Sequence, residues 1–343
     1  MEILITPGCG RVFKYLVEKH QEIHTIRVEV VGEVGREDED ENDILLTVFS
    51  HLNLKCISLC SMWNTGDIFS CLPSTLPNLE KLVLTCWLSL SDQGLIEILN
   101  RSRNNLRELD LSGSIITGVG LEEGVNSLPN LEVLILSTCN LTDGGLKKIL
   151  RLSGNKLRVL DVPDTDITGQ GFKEGVSLPM LEELNLGWCI QLTDGGLKEI
   201  LRLSGCKLRV IDLRHTNITG QGFKNGVKSL TMLEELNLEW CNYLTDGGLK
   251  EILRFFGFKL RVLYVGHTNI TGQGFKEGVS LPMLEELNLE WCEQLTDSGL
   301  QDILSITGSR LKTVNVVMCR NLSTAVRSTL LNLYPSVTFK YDY

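Results

Sequence analysis

A short leucine pattern recurs along most of the chain and constrains its fold more than any other feature. Segments of the form L-x-x-L-x-L begin at Leu157, Leu181, Leu208, Leu233 and Leu260, with spacings of 24 to 27 residues. A fixed period of this length predicts a solenoid, because each unit can bury its apolar side only against its neighbours. The 343 residues therefore predict one repetitive body rather than two globular domains.

The repeats alternate between two forms. Units that start at Leu131, Leu181, Leu233 and Leu284 contain L-T-D-G-G-L or a close variant. In the second of these, Thr193 predicts a helix N-cap and Gly205 a helix end, while Leu197, Ile200 and Leu201 recur at helical spacing. The other form contains I-T-G-x-G and leaves room only for a short helical turn. Its paired glycines lack the third glycine of a dinucleotide-binding motif, so they indicate a turn.

Twelve strand starts can be placed, and they set the predicted domain boundaries. The starts are Ile23, Leu54, Leu79, Leu106, Leu131, Leu157, Leu181, Leu208, Leu233, Leu260, Leu284 and Leu311. We expect irregular capping repeats over residues 1–53 with an acidic loop at 35–43, regular repeats over 54–336, and a C-terminal cap at 337–343. The acidic loop predicts a solvated insertion, with a docking patch as the alternative.

The widths of strands and helices predict the curvature. Strands pair about 4.8 Å apart, whereas helices need about 10 Å. Stacking both in register bends the body, so we expect an α/β solenoid, or horseshoe, with a parallel sheet on the concave face and helices on the convex face.

Charge and cysteine usage narrow the class of partner. A formal net charge of −10 disfavours nucleic acid and anionic membranes, and favours a protein with a basic surface. The sequence shows no secretory signal and no apolar run of the roughly 20 residues that span a membrane. The 11 cysteines recur mainly at repeat positions, which predicts reduced thiols in the cytoplasm or the nucleus. We expect a monomer.

The candidate binding residues lie on and beside the predicted sheet. Counted from the first leucine of each unit, the eighth position carries Trp188, His215, Trp240, His267 and Trp291. Stacked strands would place these rings in one row at the edge of the sheet. Tryptophan dominates interface hot spots, yet duplication of a packing residue would give the same pattern, so both interpretations stay open. The adjoining sheet face contributes Asp212, Arg214, Glu239, Tyr264 and Glu290. At the fifth position we expect exposed amides that can donate and accept hydrogen bonds, namely Asn185, Asn237, Asn288 and Asn315.

Two other periodic positions indicate architecture. The second position alternates in charge from Glu80 to Lys312, which predicts ion pairs between neighbouring strands. The ninth position alternates Cys with Ser or Thr, and we expect these small side chains to satisfy backbone groups. Successive cysteines are too far apart for a metal centre. We expect no catalytic residues, no metal and no cofactor.

The repeat consensus L-x-x-L-x-L-x-x-C/T-x-x-L-T-D-x-G-L resembles that of the leucine-rich repeat superfamily. The units with Cys189, Cys241 and Cys292 resemble its cysteine-containing subclass, found in F-box receptors of ubiquitin ligases. The alternation of two forms is also similar to ribonuclease inhibitor and to NOD-like receptors. Residues 45–63 faintly resemble the end of an F-box but align better with a repeat unit, so we expect no F-box there.

The resemblance implies a non-catalytic scaffold that binds a partner protein on its acidic, Trp-lined concave face. Substrate recognition in an SCF-type ubiquitin ligase is the most specific role it implies. The alternatives are an enzyme regulator, either ribonuclease-inhibitor-like or GTPase-activating, and a fragment of an innate-immune NOD-like sensor.

Overall fold

A computed structural model describes residues 24–29, 54–60, 75–102, 105–125, 127–172, 175–204, 207–221, 230–276 and 278–341. The chain forms two compact units. Unit one comprises Met1–Thr165 and Gly175–Leu178, and unit two comprises Asp166–Glu174 and Pro179–Tyr343. The acidic loop predicted at 35–43 and the helix-ending Gly205 lie outside the described residues, and the boundaries after residues 53 and 336 stay predictions.

The described part of unit one contains parallel strands in chain order with helices between them. The strands are β1 (Thr25–Glu29), β2 (Cys56–Cys60), β3 (Lys81–Thr85), β4 (Glu108–Asp110), β5 (Val133–Ile135) and β6 (Val159–Asp161). The helices are α1 (Asp92–Ser102), α2 (Leu121–Gly124) and α3 (Asp143–Leu152), with a 3₁₀ turn at Gly154–Lys156.

The described part of unit two repeats this arrangement. Its strands are β7 (Glu183–Asn185), β8 (Val210–Asp212), β9 (Glu235–Asn237), β10 (Val262–Tyr264), β11 (Glu286–Asn288), β12 (Thr313–Asn315) and β13 (Thr338–Lys340), all parallel to their neighbours. Its helices are α4 (Asp194–Leu203), α5 (Asp246–Phe256), α6 (Asp297–Ile306) and α7 (Thr324–Leu333). Short 3₁₀ turns lie at Gln170–Phe172, Gly257–Lys259 and Gln273–Phe275.

The leucine pattern places the strands in register and confirms the predicted α/β fold class. Strands β2 to β12 each begin two residues after a predicted starting leucine. In β9, Leu236 at the fourth position is buried, as is Leu238 just after the strand, whereas Glu235 at the third position is exposed. This alternation directs one side of each strand into the core and leaves the other side open. Burying one such leucine contributes about 1.5–3 kcal/mol.

The Thr-Asp motif caps helices α3, α4, α5 and α6 and joins neighbouring repeats. The side chains of Thr142, Thr193, Thr245 and Thr296 accept hydrogen bonds from the backbone N–H three residues later, at 3.0–3.1 Å. Asp194, the residue after one cap, accepts from the Thr219 hydroxyl at 2.6 Å and from the Gly220 N–H at 3.2 Å. The predicted cap at Thr193 is therefore confirmed, and its neighbour fixes the turn of a following repeat.

The paired glycines act as a turn, as predicted. Gly272 has a φ of +96°, and a Cβ placed on it would lie 2.4 Å from the Cα of Gly299. Glycine is required here for two reasons: the backbone is left-handed, and two backbones touch. Phe275, at the end of the same turn, is fully buried.

Candidate functional site

The residues at the eighth position share an unusual backbone conformation. Trp188, His215, Trp240, His267 and Trp291 have φ values of 63°, 58°, 61°, 53° and 58°. A left-handed conformation is uncommon for residues with side chains. Backbone hydrogen bonds to the next repeat hold this conformation. The Trp188 N–H donates to the Arg214 carbonyl at 2.8 Å, and the His215 N–H donates to the Glu239 carbonyl at 2.8 Å. The same turn in every unit directs the five side chains the same way.

These five rings form one stacked row, which we call the ring row. The ring centroids of Trp188 and His215 are 3.7 Å apart, and those of His215 and Trp240 are 5.7 Å apart. The pattern repeats, with 3.7 Å from Trp240 to His267 and 5.5 Å from His267 to Trp291. All four interplanar angles are 19° or less. The single row expected from the sequence is therefore present in unit two.

The ring row is also partly open to solvent. Trp188 is 48% exposed and Trp240 is 44% exposed. On the turns that follow them, Ile190 is 50% exposed and Tyr243 is 61% exposed. Together these side chains make an apolar strip along one edge of the sheet, which is typical of an interaction surface when it is contiguous.

Stacking decides which part of each ring a ligand could reach. Neighbouring rings cover the faces, so the exposed parts are the edges, which carry positive partial charge and the ring N–H groups. Within the described residues, no side chain or backbone group hydrogen bonds to the ring nitrogens of the row. The row can therefore offer N–H donors and apolar edges to a partner, whereas cation–π contact is confined to its ends.

One end of the row shows such a contact. The guanidinium carbon of Arg320 lies 5.5 Å from the centroid of the Trp291 ring. Arg320 was not among the residues predicted from the sequence. It sits at the tenth position of its unit, and no periodic pattern links that position to the row.

The open sheet face beside the row is acidic. Its side chains at the third, fifth and seventh positions from β7 to β12 include one base, Arg214, and these acids: Glu183, Asp212, Glu235, Glu239, Glu286 and Glu290. Arg214 is already paired, since its Nε donates to Asp212 at 2.7 Å. This hydrogen bond raises the pKa of Arg214. The remaining carboxylates leave this face with a net negative charge.

Several of these acids are held in place by hydrogen bonds. Glu239 crosses the strand that carries Gly266 and accepts from the Asn288 amide at 2.5 Å. A Cβ on Gly266 would lie 2.9 Å from the Glu290 carbonyl and 3.4 Å from the Glu239 carboxylate, so the backbone of the next repeat is what requires glycine here. Glu290 accepts from the Asn315 amide at 3.0 Å. Glu239 and Glu290 are therefore fixed carboxylates, which lose less entropy when they bind.

Tyr264 and His267 have shifted pKa values. The Tyr264 hydroxyl donates to Glu286 at 3.3 Å, and burial, followed by the charge of Glu286, raises its pKa. Burial lowers the pKa of His267, although Glu290 and Glu239 act in the opposite direction. His267 is therefore mainly a neutral ring at pH 7.

The fifth-position amides differ from what the pattern predicted. They were expected to be exposed, yet Asn237 is buried, and its Oδ1 accepts from the Glu239 N–H at 3.0 Å. Asn288 accepts from the Glu290 N–H in the same way, at 3.1 Å. These side chains close a turn at the end of each strand, so their oxygens are not available to a partner.

The ninth position has the predicted structural role. The Leu213 carbonyl accepts from both the Thr216 hydroxyl at 2.7 Å and the Cys241 thiol at 3.1 Å. Burial raises the pKa of the Cys292 thiol to about 11. Such thiols are unreactive at neutral pH.

The second position forms the predicted ion pairs. Within unit two, Glu234 lies between Arg209 at 3.0 Å and Arg261 at 3.7 Å. Glu285 likewise lies between Arg261 at 2.8 Å and Lys312 at 2.5 Å. Exposed pairs contribute little individually, but their alternation of charge matches the pairing of consecutive strands.

The described residues contain no group of three or more His, Cys, Asp or Glu side chains placed to hold a metal ion. Their helices are all too short or too polar to cross a membrane.

Comparison with known proteins identifies the repeats. A family model described as Leucine Rich repeat matches residues 103–123, 127–150, 177–201, 229–253 and 280–304. The F-box/LRR-repeat protein 4 of Bos taurus is 31% identical over 178 residues. That alignment covers 47% of this chain and spans only 28% of the length of the bovine relative.

A solved structure of low sequence identity shows the same fold. A chain of the yeast Rad7 and Elc1 complex superposes with a TM-score of 0.56 at 15% identity, over 99% of this chain and 73% of that one. An internalin from Listeria monocytogenes gives a TM-score of 0.49 at 15% identity, over 97% of this chain and 89% of that one. The chain thus carries leucine-rich repeats, as its own periodicity predicted, and it resembles the F-box/LRR-repeat proteins.

Proposed function

We propose that this protein is a non-catalytic scaffold that binds a partner protein through the ring row and the acidic sheet face of unit two. The observation that carries the proposal is the stacked row of half-exposed Trp and His rings beside fixed carboxylates. Large aromatic side chains are enriched at interface hot spots. Here their rings are already ordered by stacking, so binding loses little side-chain entropy.

The charge of this face supports a partner with a basic surface. Glu183, Glu235, Glu239, Glu286 and Glu290 lie on it without a matching number of bases. Lysine or arginine side chains of the partner would reach these carboxylates, while apolar and carbonyl groups would meet the ring edges. Such complementarity accelerates association and rejects acidic competitors.

A more specific role is substrate recognition in an SCF-type ubiquitin ligase. It is supported by the likeness to F-box/LRR-repeat protein 4, which extends over 47% of this chain. An enzyme regulator or an innate-immune sensor fragment would use the same face, and the identity of the bound partner distinguishes these roles. We further propose that the protein acts as a monomer in the cytoplasm or the nucleus, where most of its cysteines would remain thiols.

The test compares the ring row with an aromatic residue elsewhere on unit two. Partners would be captured with intact protein and identified by mass spectrometry, in parallel with Trp188→Ala/Trp240→Ala and Phe258→Ala variants. Phe258 is 72% exposed and lies in the turn after α5, so it controls for the loss of an exposed ring. A specific partner should be lost with the double variant and retained with Phe258→Ala. Equal capture by all three proteins would refute the proposal.

A further inference from the structure

Two cysteines of unit one lie on neighbouring strands at the same end of the sheet. Strand β2 ends at Cys60, and Cys86 directly follows β3. The strand register aligns Cys60 with Thr85, so Cys86 is one residue further along. Both residues are thiols in the structure.

The register brings the two cysteines within reach of a disulfide. Neighbouring strands lie about 4.8 Å apart and each residue advances about 3.3 Å, which places the two Cα atoms roughly 5.8 Å apart. Disulfides join residues whose Cα atoms are about 4.4–6.8 Å apart. The estimated separation of the two Cα atoms therefore lies within the range that a disulfide requires.

Access and space favour the same pair. Cys86 is exposed and Cys60 is half-buried, unlike Cys139, Cys241 and Cys292, which are buried and donate to backbone carbonyls. The sulfur of Cys86 lies over Gly113, where a Cβ would be 3.1 Å away. Gly113 follows β4, on the side of β3 away from Cys60, and its missing side chain leaves the Cys86 sulfur room to rotate.

The protonation of Cys86 bears on the rate of reaction. Burial, followed by the neighbouring Cys60 thiol, raises the pKa of Cys86. Most of the residue is therefore protonated at neutral pH, and thiol exchange proceeds through a small thiolate fraction. The pair should react slowly at pH 7 and faster as the pH rises.

We propose that Cys60 and Cys86 form a reversible disulfide when the protein meets an oxidised low-molecular-weight thiol such as glutathione disulfide. The thiolate of Cys86 attacks one sulfur of glutathione disulfide, and a glutathione thiolate leaves and takes up a proton. The thiolate of Cys60 then attacks the mixed disulfide and releases the second glutathione. The two cysteines lose two hydrogens, and glutathione disulfide gains them.

The bond would join β2 to β3 covalently. A cross-link between neighbouring strands restricts the unfolded chain and opposes their separation. The oxidation state of this pair would thereby control how firmly the first repeats hold together. This inference does not depend on the partner-binding role of unit two.

The test is disulfide mapping of the intact protein. The purified chain would be incubated at pH 8 with excess glutathione disulfide, alkylated under denaturing conditions, and digested without reduction. We expect one peptide pair linked through Cys60 and Cys86, two hydrogens lighter than the reduced pair, and its disappearance after dithiothreitol. Cys86→Ser should abolish the link and leave a glutathione adduct on Cys60. Cys56→Ser, which removes another half-buried thiol of β2, should leave the link unchanged.

Two results would overturn the proposal. In the first, Cys60 and Cys86 of the wild-type protein each carry glutathione, or remain alkylated, without a link between them. In the second, the link forms equally well in chemically denatured protein, which would show that the folded register does not direct it. A faster reaction of the folded protein supports the proposed geometry.

Discussion

The alternation of close and wide ring contacts predicts alternating coupling energies along the ring row. The centroid of Trp240 lies 3.7 Å from that of His267 but 5.7 Å from that of His215. A well-stacked aromatic pair contributes about 0.5–1.5 kcal/mol beyond the area it buries. Dispersion falls steeply with separation. We therefore expect a coupling of about 1 kcal/mol for Trp240 with His267, and less than about 0.5 kcal/mol for His215 with Trp240.

The single substitution Trp240→Ala should lower the free energy of unfolding by more than this coupling energy. Trp240 is 44% exposed, so roughly half of its surface is covered. For a side chain of about 250 Å², at about 25 cal/mol per Å², Trp240→Ala should lower the free energy of unfolding by about 3 kcal/mol. The coupling is smaller than this cost but measurable as a difference.

Two double-mutant cycles measure the couplings. One combines Trp240→Ala with His267→Ala, and the other combines Trp240→Ala with His215→Ala. Urea unfolding of all variants in the same buffer gives the free energies. Equal couplings in both cycles, or no coupling between Trp240 and His267, would refute the stacked arrangement, because the two pairs differ mainly in ring separation.

Two further predictions concern the architecture. Gly272→Ala should destabilise the protein by about 1–3 kcal/mol in urea unfolding, because its Cβ would meet Gly299. The control, Gly247→Ala, should be neutral or slightly stabilising, because its Cβ meets only a hydroxyl at 4.0 Å. Equal losses of stability in the two variants would contradict this prediction. Glu285 has its pKa lowered to about 2 by hydrogen bonds to Arg261 and Lys312, so it stabilises the fold above the usual carboxyl pKa and this contribution is lost as the pH falls towards 2. Arg261→Ala should move the Glu285 pKa up towards its ordinary range in an NMR titration, and an unchanged pKa would show that Arg261 does not hold that carboxylate.

The repeat pattern predicted the strands and the ring row because both follow from the side-by-side packing of the repeats. Any residue that recurs at one position must form a line when the units lie side by side, which is why the positions of Trp188 and His215 were read correctly. The face-to-face stacking of the rings could not be predicted from the repeat. It depends on a left-handed backbone, which Trp and His do not indicate. Gly113, at the same position of an earlier unit, did indicate a left-handed backbone there, because glycine is the residue that tolerates positive φ.

The roles of single polar residues were harder to predict. The sequence suggested exposed amides at Asn237 and Asn288, whereas the structure uses their oxygens in turns. Other units carry Asp at that position, as in Asp212. Because Asn and Asp share a side-chain oxygen acceptor, this exchange indicates that the position requires an acceptor. Arg320 had no such signal, because its contact with Trp291 depends on the reach of a long side chain rather than on the repeat.

The affinity of a purified partner for ring-row variants tests the central claim most directly. For the partner identified by capture, isothermal titration calorimetry would compare wild type, Trp188→Ala/Trp240→Ala and Phe258→Ala at matched ionic strength. Removal of a hot-spot side chain costs at least about 2 kcal/mol, so the double variant should raise Kd by about 30-fold or more, while Phe258→Ala leaves it unchanged. An unchanged Kd for the double variant, with its fold intact by circular dichroism, would contradict the account.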